Sequence, residues 1–387
     1  MRKLKKAYKI EIKPTKEQKI KINKTIGVSR YVYNFYLIHN KEIYEKEKRF
    51  VSGIEFSKWL NNEYIPNNPD KSWIKEVSSK ATKQAIINAD GAFKKFFKGK
   101  SKFPRFKRKK NQTTKAYFPK NNKTDWTIER HKVKIPTLGW VRLKEYGYIP
   151  LNSKVSSGTV SQQADRYYVS ILVEEENDIN NSLYSEGIGI DLGLKEFAII
   201  SNGTTYKNIN KTAKVKNIEK KLIREQRSLS RKYESLKKQK NKKEGEVTRQ
   251  NIQKQVLKVQ KLYRRLYNIR TDYINKIVAE IVKNKPEYVT IEDLNVSGMM
   301  KNKHLSDSIR KQCFYEFTRQ LEYKCKFRGI EFIKADRFYP SSKTCSNCGH
   351  IKKDLKLKDR TYICSECGFV IDRDYNASLN LANYKLA

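Results

Sequence analysis

The chain has no apolar run long enough to cross a bilayer, which excludes a helical membrane protein at the outset. Its first segment, Met1–Pro14, is basic but has no apolar h-region, so it does not read as a signal peptide. Acidic residues are scarce: 41 Asp and Glu stand against 84 Lys and Arg in 387 residues, a formal charge of +43. So lopsided a balance excludes an ordinary soluble enzyme and makes a phosphate polymer the natural partner, bound in a strongly salt-dependent way. A membrane surface is the competing acidic partner, but the basic residues are spread along the whole chain and no membrane partner is expected. Histidine is nearly absent. The four residues His39, His131, His304 and His350 are scattered, and neither a paired-histidine motif nor a nucleophilic tyrosine context is visible. Cysteine is sparse as well. Six cysteines without an export signal point to a reducing compartment and to metal ligation, not disulfides.

What is present suffices for a folded protein of two or more domains: 38% of residues are apolar and 11% aromatic, with 24 Tyr for core packing and base stacking. Lys6–Lys13 alternates as a strand, with Tyr8, Ile10 and Ile12 facing inward. Thr15 and Gln18 form a capping-box pattern, and helical spacing follows to about Lys48 through Ile20, Ile22, Ile26, Tyr31, Val32, Phe35 and Tyr36. Asn61–Lys71, with Pro66 and Pro69, reads as a loop. Ser78 opens a second helix to Lys98, with Ala81, Ala85, Ile86, Ala89, Phe93, Phe96 and Phe97 on its apolar face. Lys98–Lys110 is the densest basic run. Phe103 and Phe106 interrupt it, which favours a nucleic-acid contact over a solvated linker. Tyr117–Val173 reads as short strands of a small barrel or sandwich, which the Lys6–Lys13 strand could close. Glu174–Asn181 reads as an acidic linker. Val215–Lys240 and Val247–Lys283 fit an antiparallel helical pair turning near Lys242–Glu246. Leu305–Arg328 reads as one helix and Glu331–Ala335 as a strand.

Three carboxylates stand at the edges of apolar elements. Asp191 lies in the hairpin pattern of Gly187–Ile200, Glu292 ends the run of Tyr288–Asn295, and Asp374 precedes a short helical pattern in Asp372–Ala382. A carboxylate in an apolar run is costly unless compensated, and a metal ion is the commonest compensation. On a ribonuclease-H-like sheet the three positions would meet and could hold two Mg²⁺ ions (or Mn²⁺) for phosphodiester hydrolysis. Asp293 would point to the opposite side of a continuing strand.

Cys345 and Cys348 form one CxxC knuckle and Cys364 and Cys367 a second, fifteen residues on, with Gly349 and Gly368 after each. That doubled spacing matches a structural four-thiolate Zn²⁺ ribbon. Cys313 and Cys325 fall on a helical pattern as ordinary semi-buried residues.

Taken together, GIDLGLKEFA, IEDLN, FYPSSKTCSNCG, CSECG and DRDYNASLNLA resemble the TnpB (OrfB-type) proteins of bacterial insertion sequences, relatives of the type V CRISPR nucleases. Gly27–Leu37 and Ala92–Lys110 are similar to that family's helical domain. The resemblance implies an α+β multidomain protein. A wedge-like β-barrel would span 1–13 and 114–178, interrupted by a helical recognition domain at 14–113. A RuvC (ribonuclease-H-like) α/β nuclease domain would span 182–340 and 369–387, with its helical pair at 215–283 and an inserted zinc ribbon at 341–368. It implies RNA-guided cleavage of double-stranded DNA beside a transposon-adjacent motif, in the bacterial cytoplasm or nucleoid, with a guide RNA and target DNA as partners. By motif, Asp191, Glu292 and Asp374 match the catalytic carboxylates, Asp374 being preferred to Asp372 by its D-x-N-A context. Lys80, Lys83 and Gln84 are placed to reach base edges of the adjacent motif, and Arg105, Lys107, Arg108 and Lys109 to hold phosphates. The alternatives are a transposase or transposition accessory protein, and a non-cleaving RNA-guided DNA-binding regulator.

Overall fold

The computed structural model describes residues 2–108, 114–119, 126–151, 153–177, 186–240, 249–356 and 358–385. The chain divides into two compact units, Arg2–Glu176 and Asn177–Ala387.

In the first unit, β1 (Arg2–Lys13) buries Tyr8, Ile10 and Ile12. Helix α1 (Lys16–Glu47) starts at a full capping box. Thr15 Oγ1 accepts the Gln18 N–H at 3.2 Å, and the Gln18 side chain accepts the Thr15 N–H at 3.0 Å. Of its expected apolar face, Ile22, Ile26, Val32 and Tyr36 are buried, whereas Ile20 is exposed. After α2 (Gly53–Trp59), the expected loop at Asn61–Lys71 is instead a chain of short helical turns. They are a π turn (Leu60–Tyr64), α3 (Ile65–Asn67) and a 3-10 turn (Pro69–Glu76). Pro66 and Pro69 lie in the opening residues of such turns, where a missing N–H costs nothing, and Leu60, Ile65 and Ile74 anchor the turns in the core. Helix α4 (Ser79–Phe97) buries Ala81, Ala85, Ile86, Ala89 and Phe93, and leaves Phe97 exposed at its end.

Strands β2 (Thr114–Pro119), β3 (Thr127–Ile128), β4 (Lys132–Ile135), β5 (Gly139–Leu143), β6 (Lys154–Gln163) and β7 (Arg166–Asn177) join β1 in one sheet, ordered β2-β6-β7-β1-β5-β4-β3. The first strand therefore lies mid-sheet, and α1–α4 are an insertion between it and β2. One core runs from Ala116 and Phe118 of β2 to Ile128 of β3. Trp126 covers Gly158, where a Cβ would stand 2.1 Å from the indole, so the sheet curls until β3's approach meets β6. Among the described residues no ladder joins β2 to β3. Of the acidic linker expected at Glu174–Asn181, residues 174–177 instead prolong β7, and 178–181 lie outside the described residues. Cations and hydroxyls of neighbouring strands satisfy its acids: Glu174 meets Lys154 and Ser156, and Glu175 meets Lys6 and Tyr8.

The second unit is built on a five-stranded sheet. Strands β8 (Ile188–Leu192) and β9 (Glu196–Ile200) form the expected hairpin, with Asp191 opposite Ile199, and β10 (Thr205–Lys207) extends it. Helices α5 (Ala213–Lys240) and α6 (Gln250–Lys283) follow, then β11 (Tyr288–Glu292). The contacts Glu219–Arg270 and Gln226–Tyr263 show that the pair runs antiparallel. The expected turn at Lys242–Glu246, and Val247, lie outside the described residues. The outer half of α6 shares an apolar seam with α5 (Val215, Ile218, Leu222 against Val259, Leu262, Leu266), while its last turns, Ile274–Val282, pack on the sheet.

A short helix, α7 (Val296–Met299), precedes α8 (Ser306–Gln312) and α9 (Phe314–Arg328). The single helix expected over Leu305–Arg328 is therefore broken at Cys313, whose φ is +58°. The break lets buried Gln312 donate to the Gly193 carbonyl at 3.0 Å and accept from the Asn210 amide, tying α8 to the β8–β9 turn. Cys313 is half-buried and Cys325 buried; burial raises both thiol pKa values, that of Cys325 to about 12. Strand β12 (Glu331–Ala335) closes the order β10-β9-β8-β11-β12, with β11 parallel to both its neighbours. A two-stranded ribbon, β13 (Thr361–Ile363) with β14 (Val370–Asp372), leads straight into α10 (Arg373–Asn383).

Candidate functional site

The ladder between β8 and β11 runs from Ile188–Val289 to Ile190–Ile291. One residue further on each strand come Asp191 and Glu292, side by side at the same end of the sheet. The two-residue period puts Gly187, Gly189 and Asp191 on one face, and α10 lies directly against that face. A Cβ at Gly189 would stand 2.1 Å from the Ser378 carbonyl oxygen and 2.3 Å from the Ala382 nitrogen; one at Gly187 would enter the Tyr288 ring. Only glycine admits so close an approach. The approach carries the first turn of α10, and with it Asp374, towards Asp191.

Electrostatics records the convergence. The Asp191 pKa is raised well above the ordinary carboxylate range, by burial first and then by the negative charges of Glu292 and Asp374. Glu292 is also raised, by burial and by Asp374, although the Ser341 hydroxyl donates to its Oε1 at 2.5 Å. Asp374 is gripped by Arg373, with Nη2 at 3.1 Å and Nε at 3.2 Å, and lies 3.6 Å from Arg360 Nη1. Asp372 has a separate task, since its carboxylate caps α10 by accepting the N–H groups of Asp374 and Tyr375 at 3.0 Å. Strand β11 stops at Glu292, so Asp293 does not continue it; its carboxylate pairs with Arg337 at 2.5 Å.

The four thiols Cys345, Cys348, Cys364 and Cys367 have all their sulfurs within 4.8 Å of one another. The Cys345–Cys367 and Cys348–Cys364 distances are 3.7 and 3.5 Å. Four sulfurs about 2.3 Å from a central ion would be about 3.8 Å apart, so the cluster can hold a tetrahedral metal ion. Gly349 and Gly368 take φ of +77° and +67°, as the two knuckles require. His350 stays outside the cluster, its Nε2 3.2 Å from Ser365 Oγ. Among the described residues no other group of three or more metal-binding side chains is so close, and the three carboxylates are more widely spaced.

Several positioning side chains escaped sequence reasoning. Asn376 bonds the Thr344 carbonyl at 2.7 Å and the Ser346 N–H at 3.0 Å, and Asn380 bonds the Ser341 and Thr344 carbonyls at 2.7 Å each. These amides lock α10 to the chain leading into the first knuckle. Their signal was two asparagines four apart on a helix face of small and apolar residues, where a buried amide must find partners. Ser341 and Arg373 lay within the quoted motifs without a role, and Arg360 lay outside them.

In the first unit, Lys80 and Lys83 are exposed on the opening turns of α4. Gln84, Lys107 and Arg108 line one cavity of about 360 Å³ with Lys115 and Tyr117, so the structure unites these three. Arg105 borders a different cavity, which Arg108 also reaches. Lys107 also lies against an aromatic ring. Its ammonium sits 3.7 Å from the Tyr33 ring centroid, and burial lowers its pKa to about 8. Lys109 lies outside the described residues.

Comparison with known proteins agrees with this layout. Family models match at residues 1–49 ("Helix-turn-helix domain"), 170–303 ("Probable transposase", the OrfB proteins of the IS605 type) and 314–381 ("Cas12f1-like, TNB domain"). "Putative RNA-guided DNA endonuclease InsQ" of Escherichia coli (strain K12) is 30% identical over 97% of this chain and 91% of its own length. The chain belongs to the OrfB (TnpB) family. A relative of the same description from Streptomyces pristinaespiralis is 30% identical over 100% of this chain and 91% of its own. The fold is that of a Cas12f1 chain solved with single-guide RNA and target DNA, at a TM-score of 0.62 and 17% identity, covering 99% of both chains. As in that fold, this OrfB chain is a mixed α/β protein, and no described helix is long and apolar enough to cross a membrane.

Proposed function

We propose that this OrfB-family chain is an RNA-guided DNA endonuclease whose RuvC-type, ribonuclease-H-like centre is formed by Asp191, Glu292 and Asp374. The observation that carries the reading is their convergence at one sheet end, with Asp191 and Glu292 both raised in pKa by burial and shared negative charge. Such a cluster of carboxylate oxygens fits divalent cations of the Mg²⁺ or Mn²⁺ type. Two such ions, when bound, supply an activated water and charge stabilisation at the leaving oxygen. The chain's own part is to aim the oxygens. Ser341 orients Glu292, Arg373 and Arg360 hold Asp374, and the Gly189 contact fixes the height of α10. The thiol cluster suits a structural Zn²⁺, since four thiolates leave no open position. The positive charge suits a guide RNA and a DNA target. We assign the division into wedge-like barrel, recognition helices, nuclease domain and ribbon with the boundaries given above.

The test mixes the protein, its co-purified RNA, Mg²⁺ and a plasmid library carrying a guide-matched target beside random bases. Cut plasmids enriched for one short flank are the expected result. Joined products without free ends would identify a transposase. Tight flank-dependent binding without any cut would identify a regulator. Raising salt from 50 to 200 mM should weaken guide binding about a thousandfold or more, as many phosphate contacts demand; a salt-insensitive complex would refute the electrostatic account.

A further inference from the structure

A cavity of about 930 Å³ lies in the first unit, between α1, the end of α4 and the strap 100–108. Its walls are rings. Phe96 meets Phe103 at 5.3 Å, Phe50 meets Phe97 at 5.3 Å, and Phe106 adds a further wall. A core would bury these side chains, yet Phe97, Phe103 and Phe106 are 60%, 52% and 50% exposed. The rim is cationic. Arg105 and Arg108 both border the opening, and among the described residues neither has a recorded acidic partner; Lys41 and Glu45, 3.7 Å apart, offset each other.

The strap that carries five of the fourteen lining residues is held in place. Asn34 grips Lys107 through both backbone groups, accepting its N–H at 2.8 Å and donating to its carbonyl at 3.0 Å. Lys107 caps the Tyr33 ring and Pro104 is buried. The interleaving of Phe103 and Phe106 with Arg105 and Arg108 therefore becomes a fixed arrangement of exposed rings beside guanidinium groups. Neutral apolar ligands would not need that rim. A strand of phosphates with unstacked bases needs both parts, because bases stack on exposed rings whatever their identity while arginines track the backbone.

We propose that this cavity receives the base of an unpaired nucleotide, stacked between Phe103, Phe106 and the Phe97 edge, with the flanking phosphates on Arg105 and Arg108. The proposal rests on the nucleic-acid reading of the chain but not on cleavage, so its test uses neither guide nor target.

Full-length protein freed of RNA is titrated with fluorescein-labelled twelve-nucleotide probes: oligo-dT, oligo-rU and an abasic backbone of equal charge. The base-bearing probes should bind about tenfold more tightly than the abasic one, the effect expected of one stacked base. Phe103→Ala and Phe106→Ala, both at exposed positions, should erase that difference and leave abasic binding unchanged. Arg105→Gln should weaken all three probes alike. A preference for dT or for rU tells whether the DNA or the RNA strand is the source. Equal binding of base-bearing and abasic probes, or a preference that survives both phenylalanine variants, would overturn the proposal. So would a wild-type chain that sediments as a dimer and becomes a monomer on Phe97→Ala, since the cavity would then seat a second copy. Plasmid cleavage that persists while the stacking test fails would reject the cavity alone.

Discussion

Replacing Asp191 by Ala should abolish cleavage of guide-matched DNA, a loss of several orders of magnitude in turnover, while guide and target still bind. The same holds for Glu292→Ala and Asp374→Ala. In the proposed centre each would remove oxygen ligands of ions that would both activate water and stabilise the leaving oxygen, so the defect should fall on the chemical step. Binding survives because the cations that attract nucleic acid lie elsewhere. Chelation by EDTA should copy the defect, and Mg²⁺ or Mn²⁺ should reverse it in the wild type only. Products should carry 5′-phosphate and 3′-hydroxyl ends. A readout without activity is available too. Burial and mutual repulsion disfavour the charged carboxylates, so Asp191→Asn should raise the melting temperature of the metal-free protein by a few degrees. Wild-type turnover in any of the three alanine variants would remove that residue from the centre.

The second large effect concerns the thiols. Cys345→Ser or Cys367→Ser should release one Zn²⁺ per chain and unfold the ribbon, because binding at such a site is worth on the order of 10–16 kcal/mol and is inseparable from local folding. Cleavage should fall with it, although no thiol touches the carboxylates. Strand β14 ends at Asp372, the residue that caps α10, and Asn376 and Asn380 tie that helix to the chain entering the first knuckle. Metal analysis that finds no zinc in native, reduced protein would end the ribbon reading. Full activity in a zinc-free variant would show that α10 holds its place unaided.

Much of this was legible in the sequence for local reasons. The capping box at Thr15, the hairpin around Asp191 and the two knuckle glycines each depend on a few neighbouring residues, and each formed as expected. The departures have tertiary causes. Periodicity carried one helix across Cys313, whereas the buried amide of Gln312 reaches back to the Gly193 carbonyl and forces a left-handed residue. Proline-rich residues 61–71 read as a loop until buried Leu60, Ile65 and Ile74 pinned them as helical turns. Glu175 read as linker because its partners, Lys6 and Tyr8, are some 170 residues away. At the site, motifs located the carboxylates but not the glycine contact that sets α10 on the sheet. A glycine on a strand says only that something may come near, not what does.

The divided packing of α6 has a consequence for how the molecule breathes. Covalently it is one rod of 34 residues, Gln250–Lys283, yet its two halves pack into different apolar clusters. Amide hydrogens of Ile274–Val282 should exchange only with global opening of the sheet, whereas those of Ile252–Leu266 should exchange through a lesser event in which α5 and the outer half of α6 fray together. Deuterium uptake that steps near Tyr273 would reveal the border, and uniform protection along the whole rod would show that the hairpin and the sheet open as one.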